Sequence, residues 1–350
     1  MSEQISRPSL KDRIGAGRKA VSVSQQSLVQ EGSLFPDNRL PLLVRPGMPG
    51  VSLSSWAENN RDWIASRLAD YGGILFRGFD LPAVADFDRA VQAISGDLLE
   101  YKERSSPRHA VAGKIYTSTD YPPDQPIFLH NENSYQKVWP LRIFFYCLIP
   151  SATGGETPIA DTRRVYERID PEIRDRFIAK KWMYVRNFGD GFGLPWQSVF
   201  QTDNKAEVEA HCTRNNIQFE WKEGDRLRTR AVRRAATPHP LDGQMVWFNH
   251  ATFFHVSTLT PAIREALLEE FGEEDLPANT YYGDGSRIEP EVLDHLRACY
   301  AAETVAFPWQ QGDLLMLDNM KVAHARAPFT GERKILVGMS HPQSLDDLPA

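Results

Sequence analysis

Cysteine is scarce in this chain of 350 residues: Cys147, Cys212 and Cys299 form an odd, widely spaced set with no CxxC pair. That argues against a disulfide framework or a cysteine-based zinc site and reads as reduced, packed thiols in a cytoplasmic protein. Positive charge is not in excess either. A net charge of -6 at pH 7 and a pI near 5.9 provide no global basic field of the kind that nucleic-acid or anionic-membrane binding needs, so a small-molecule or protein partner is expected. No run approaches the ~18 apolar residues of a membrane span, and residues 1–30 lack the apolar segment of a signal peptide or anchor. Internal repeats, a GxGxxG motif and a P-loop are all missing, which leaves no nucleotide-binding signature.

What is present is an ordinary globular composition, 41% hydrophobic and 25% charged, enough to build a large core. Residues 1–30 are polar and are expected to form a flexible N-terminal segment. Residues 31–350 are expected to form one domain with a helical and loop-rich insertion at about 161–303. Apolar spacing predicts a helix running from Trp56 to Tyr71 and stopped at Gly72, and a second over 84–94 before Gly96. Further helices are predicted over 162–181, 260–271 and 288–302. Strands are predicted at 74–79, 182–188, 245–249, 304–309, 313–318 and 334–340, and the nearly continuous apolar run 141–149 is the strongest of all. Short strands around a helical middle point to a β-barrel or jelly roll with insertions rather than alternating βαβ units.

The chemistry-bearing stretch is Leu129-His130-Asn131-Glu132-Asn133-Ser134. A histidine and a carboxylate two residues apart at a strand end would share one face, because strand side chains alternate. Taken alone this is a common polar doublet. With a distant histidine, His324, it becomes a set of two imidazoles and one carboxylate, which on one face of octahedral Fe(II) leaves three positions open for a co-substrate and oxygen. The turn Gly331-Glu332-Arg333 opens the last strand. An arginine there can meet a co-substrate carboxylate through two parallel hydrogen bonds, a geometry lysine lacks.

These residues resemble a family. His130-Asn131-Glu132, Gly154-Gly155-Glu156-Thr157, Leu317-Asp318-Asn319, His324 and Gly331-Glu332-Arg333 look like the TauD/TfdA group of Fe(II)- and 2-oxoglutarate-dependent oxygenases. Tyr116 to Tyr121, Asn131 to Gln136 and Tyr282 to Ser286 are similar to its SyrP-like branch, and the likeness extends over about 70–342. The resemblance implies an α+β, mainly β fold: a double-stranded β-helix (jelly roll, cupin-like) core with flanking helices. It also implies iron held by His130, Glu132 and His324, 2-oxoglutarate gripped by Arg333 with help from Thr157, and O2 as the second co-substrate. Two departures stand out: Glu132 where many relatives use Asp, and Lys334 where some carry a second arginine, which leaves the anchoring cation at 333 or 334. Because Glu132 fills the carboxylate position, halogen transfer is disfavoured and hydroxylation of an unactivated C–H bond is expected, with desaturation or epoxidation as alternatives. The branch implies an amino acid or a carrier-tethered aminoacyl substrate in natural-product biosynthesis. A non-catalytic jelly-roll binding or sensor protein is the contrasting reading, marked by loss of a ligand, and no ligand is missing.

Other residues are given plainer roles. Arg104, Arg108, Asn133 and Ser134 are candidate substrate contacts on loops at a barrel mouth, with surface salt bridges the plain reading for the arginines. His250 and His255 are read as packing or pocket lining, His239 as a turn residue, and Trp247, Phe248, Phe253 and Phe254 as core. His109, His211, His295 and His341 receive no role.

Overall fold

The computed structural model describes residues 28–99, 110–118, 121–189, 191 and 193–348. Its centre is the strand Val138–Ile149, and the near-continuous apolar character of that run has a simple cause: both of its faces are covered. Phe144 and Tyr146 pack with Ile74, Phe76, Leu314 and Met316 against the helices Leu53–Glu58, Arg61–Tyr71 and Val84–Ser95. The alternate residues Ile143, Phe145 and Cys147 point the other way, into a cluster with Ile159, Leu315, Val322, Ile335 and Val337.

Two sheets enclose that second cluster. The larger has eight strands in the order Val29–Ser33, Leu42–Pro46, Gly73–Phe76, Leu314–Asp318, Val138–Ile149, Lys334–Ser344, Ile115–Thr117 and Ala110–Ala112. The smaller runs Thr304–Val305, Ile159–Asp161, Val322–Arg326 and Ile127–His130. Together they are the double-stranded β-helix with its flanking helices, so the expected fold class holds. Residues 182–188, 217–222, 226–233 and 278–282 form a separate four-stranded antiparallel sheet. No helix among the described residues is long and apolar enough to cross a membrane.

Local chemistry explains where the elements depart from expectation. The stretch 162–181 is two helices, Thr162–Arg168 and Pro171–Lys180, because the residue before a proline is pushed out of the helical region. Asp170 sits at ψ 130 and its carboxylate caps the Glu172 N–H. The stretch from Trp56 to Tyr71 also breaks, at Asn59 and Asn60, while Gly72 ends it as expected in the left-handed conformation (φ 78). The expected strand 304–309 pairs only at Thr304–Val305, and the segment beyond it carries Pro308, whose carbonyl accepts from Arg77.

Arg77 at the end of the Gly73–Phe76 strand makes a two-pronged pair with Asp313, Nε to Oδ1 at 2.9 Å and a terminal nitrogen to Oδ2 at 2.6 Å. Both side chains are buried, at 9% and 1% exposure. Removing one partner of such a pair leaves an uncompensated charge, so Asp313→Ala is expected to cost about 3–5 kcal/mol, read as a lowered midpoint in denaturant unfolding with an unchanged slope.

Candidate metal centre

The smaller sheet brings the two distant histidines together. His324 and His130 are direct cross-strand partners, with ring centroids 4.4 Å apart. Glu132 follows on the buried loop at 3% exposure, and its Oε2 lies 3.9 Å from His324 Nε2. One ligand atom from each of the three falls within 4.8 Å of the others, the sole such group of three among the described residues. The donor set, two imidazole nitrogens and one carboxylate oxygen, fits Fe(II) and leaves coordination positions over. His130 Nδ1 is bonded to the Phe128 carbonyl at 2.9 Å. A carbonyl only accepts, so the Nδ1 proton is fixed there and the Nε2 lone pair is left for a metal.

One premise of the sequence reading changes. The strand ends at His130, and Glu132 stands in the turn beyond it, so strand alternation does not orient the carboxylate. Asn319 does: its Oδ1 accepts from Glu132 N at 2.7 Å, and its Nδ2 donates to the Glu132 carbonyl at 2.9 Å. Sequence gave Asn319 no role, although it lies in one of the family-like motifs.

The two histidines border a narrow cavity of about 30 Å³. Its wall includes Ser118, Phe145, Thr157, Arg326 and Arg333, and not Lys334. Arg333 Nε donates to the Gly155 carbonyl at 2.8 Å, and its terminal nitrogens make no hydrogen bond to the described residues. The side chain crosses directly over Gly155, where an added Cβ would come within 3.0 Å of Arg333 Cδ and 2.4 Å of Ser151 Oγ; φ of +72 there also favours glycine. Burial, and then the neighbouring Arg326 cation, push the Arg333 pKa down to about 10. It remains charged at neutral pH in a setting that favours an anion beside it. Thr157, 3% exposed, accepts from the Trp309 indole N–H at 3.2 Å. That donor occupies the hydroxyl oxygen and leaves the Thr157 proton to be donated elsewhere. Sequence alone places Trp309 only at the end of an expected strand.

On the other side, His130 and Glu132 border a cavity of about 580 Å³ walled by Phe128, Tyr135, Phe253, Phe254, Leu259 and Leu267 among others. Asn133 lines it in a left-handed conformation (φ 58), with its buried Oδ1 unpaired among the described residues. Ser134 reaches the wall only through His250, its hydroxyl 2.5 Å from Nδ1. His250 and His255 both line the cavity. Burial, and then His130, push the His250 pKa well below its usual value, while burial and Arg297 bring His255 to about 4. Both rings are therefore neutral near pH 7. The aromatic group divides: Trp247 and Phe248 are core, as expected, but Phe253 and Phe254 face the cavity.

His239 is more than a turn residue. At 2% exposure it bridges Asp318 Oδ2 (3.0 Å) and Asp242 Oδ1 (3.2 Å), bracing the turn that leads from Asp318 to His324. Arg104, Arg108 and His109 lie outside the described residues.

The chain is similar to known proteins over most of its length. The chain is 42% identical over 310 residues to the dapdiamide synthesis protein DdaC of Enterobacter agglomerans, covering 85% of this chain and 94% of the relative. A clavaminate synthase-like protein of Arabidopsis thaliana is 30% identical over 322 residues, covering 88% and 94%. The fold matches PvcB of Pseudomonas aeruginosa with a TM-score of 0.52 and 16% identity over 92% of this chain and 94% of that one; PvcB is described as an Fe, alpha-ketoglutarate dependent oxygenase from an isonitrile synthetic pathway. The family model for the taurine catabolism dioxygenase TauD, TfdA family spans residues 38–340, and the chain belongs to that family as an Fe(II)- and 2-oxoglutarate-dependent oxygenase.

Proposed function

We propose that this oxygenase hydroxylates an unactivated C–H bond of an amino acid or a carrier-tethered aminoacyl group in natural-product biosynthesis, with His130, Glu132 and His324 as the iron ligands. The observation that carries the reading is the position of the trio on the wall between two cavities, one bearing Arg333 and one large and mostly apolar. The 42%-identical relative named for dapdiamide synthesis supports the biosynthetic setting.

When bound, the iron with its co-substrates supplies the oxidising power: 2-oxoglutarate loses carbon dioxide to become succinate, and one atom of O2 goes to the substrate. The chain's own residues do the placing. Arg333, whose terminal nitrogens face no hydrogen-bond partner among the described residues, would hold a carboxylate of 2-oxoglutarate, and the Thr157 hydroxyl, its oxygen occupied by Trp309, would donate to the same molecule. Across His130 and Glu132 the aromatic wall excludes water and holds the target C–H bond close, which is how such a site contributes to rate. Asn133 offers the substrate a buried acceptor that is unpaired among the described residues. Arg104 and Arg108, outside the described residues, stay candidate contacts on sequence grounds alone.

Thr157→Val is expected to raise KM for 2-oxoglutarate about 2- to 10-fold, the loss of one ordinary hydrogen bond of ~0.5–1.5 kcal/mol. Trp309→Phe should shift KM the same way by less, and kcat at saturation should hold in both; steady-state succinate formation measures this. The function itself is tested by mass-spectrometric screening of free and carrier-loaded amino acids for a gain of one oxygen coupled to succinate. Loss of two hydrogens would instead mark desaturation, and a gain of oxygen confined to alkene substrates would mark epoxidation.

A further inference from the structure

Glu132 stands on a turn, yet a carboxylate that shares a cation with two strand-borne histidines must be held as firmly as they are. Asn319 supplies the connection. It is fully buried, at 0% exposure. Beyond its two bonds to the Glu132 peptide, its Nδ2 donates to the Pro140 carbonyl at 2.9 Å. Its backbone N–H donates to the Leu141 carbonyl at 2.8 Å, and its own carbonyl accepts from Asn131 Nδ2 at 2.7 Å. The side-chain amide thus meets both backbone polar groups of one residue 187 positions away in sequence, as a neighbouring strand would where no strand continues.

Asn319 also sits in the turn that leads to His324, between a strand of the larger sheet and one of the smaller. Asp318 Oδ1 closes that turn by accepting from the N–H groups of Met320 and Lys321. The Lys321 ammonium, wholly buried, pairs with Asp242 and donates to the Ala69 carbonyl. One braced turn therefore fixes both the start of the His324 strand and the backbone of Glu132. We infer that Asn319 is the positioning residue that sets Glu132 in register with the two histidines, so that metal affinity depends on an amide that touches neither the metal nor either co-substrate. The inference rests on Glu132 being a metal ligand.

The test is a titration of the metal-free, full-length chain with Co(II) alone, followed by its visible absorption, with thermal unfolding of the metal-free protein measured alongside. Partners that orient metal ligands typically contribute ~10–100-fold to metal affinity, and Asn319→Ala is expected to weaken Co(II) binding by that factor and to alter the shape of the absorption band. Asn319→Asp keeps the acceptor for the Glu132 N–H and loses the donors, and should fall between Asn319→Ala and the unaltered protein. It also carries the test if Asn319→Ala does not fold.

Asn187 is the control, a buried amide that donates to the Glu274 and Leu276 carbonyls from the separate sheet. Asn187→Ala should lower thermal stability and leave Co(II) affinity and band shape unchanged. Wild-type Co(II) affinity in both Asn319 variants, while Glu132→Ala fails to bind, would overturn the positioning role and leave the ligand assignment standing. Wild-type affinity in Glu132→Ala would overturn the ligand assignment itself.

Discussion

Glu132→Ala and His324→Ala are each expected to reduce 2-oxoglutarate turnover to background while the protein remains folded. The size of the effect follows from what a ligand does compared with what its supports do. Residues that only orient a metal ligand typically contribute ~10–100-fold, so deleting one of three protein ligands must cost more than that in metal affinity. Both side chains are nearly buried, at 3% and 4% exposure, and His324 also packs against Phe145 with ring centroids 4.9 Å apart. A loss of packing therefore accompanies His324→Ala, and Glu132→Ala is the cleaner variant. Circular dichroism and thermal unfolding of the metal-free proteins separate a lost ligand from a lost fold. Glu132→Asp, with the shorter carboxylate common in the wider family, should retain part of the activity.

Arg333→Lys is the second large effect. Lysine keeps the charge and loses the planar fork, so one of two charge-assisted hydrogen bonds to a carboxylate is lost. Hydrogen bonds to charged groups contribute ~1.5–3 kcal/mol, which corresponds to a rise in KM for 2-oxoglutarate of roughly 10- to 150-fold. Metal binding without 2-oxoglutarate should be untouched, because Arg333 is bonded to Gly155 and not to a ligand of the trio. Lys334→Gln is the companion experiment. The residue lies outside the cavity wall, and its substitution should leave KM for 2-oxoglutarate near wild type. The reverse pattern, with Lys334→Gln impaired and Arg333→Lys normal, would move the anchor one place along the chain.

Much of this was legible in the sequence, for reasons that are local. The apolar run 141–149 reads as a doubly covered strand without knowledge of its neighbours. His130, Glu132 and His324 are singled out by the resemblance of several dispersed motifs to one family, since the His-x-Glu doublet alone is common, and Gly155 stands in one of those motifs where a side chain would meet Ser151 and Arg333. What escaped depends on partners far away in the chain. Asn319 looks like any loop asparagine until its amide is seen spanning the Glu132 peptide. His239 looks like a turn residue because it is one, and only the fold shows its ring buried between two carboxylates. Phe253 and Phe254 have the same composition signature as Trp247 and Phe248, and only the course of the backbone decides which pair faces the cavity. The break at Asp170 and Pro171 is different in kind. Its signal was local and lay in the sequence, but apolar periodicity outweighed it.

The most direct measurement is anaerobic addition of Fe(II) and 2-oxoglutarate to the metal-free chain, watched for the weak visible charge-transfer band that reports chelation of iron by the co-substrate. The wild-type chain should develop the band, Arg333→Lys should require more 2-oxoglutarate to reach it, and Glu132→Ala and His324→Ala should fail to form it. A folded wild-type protein without the band, or a band of full strength in Glu132→Ala, would contradict the assignment of His130, Glu132 and His324 as the iron site.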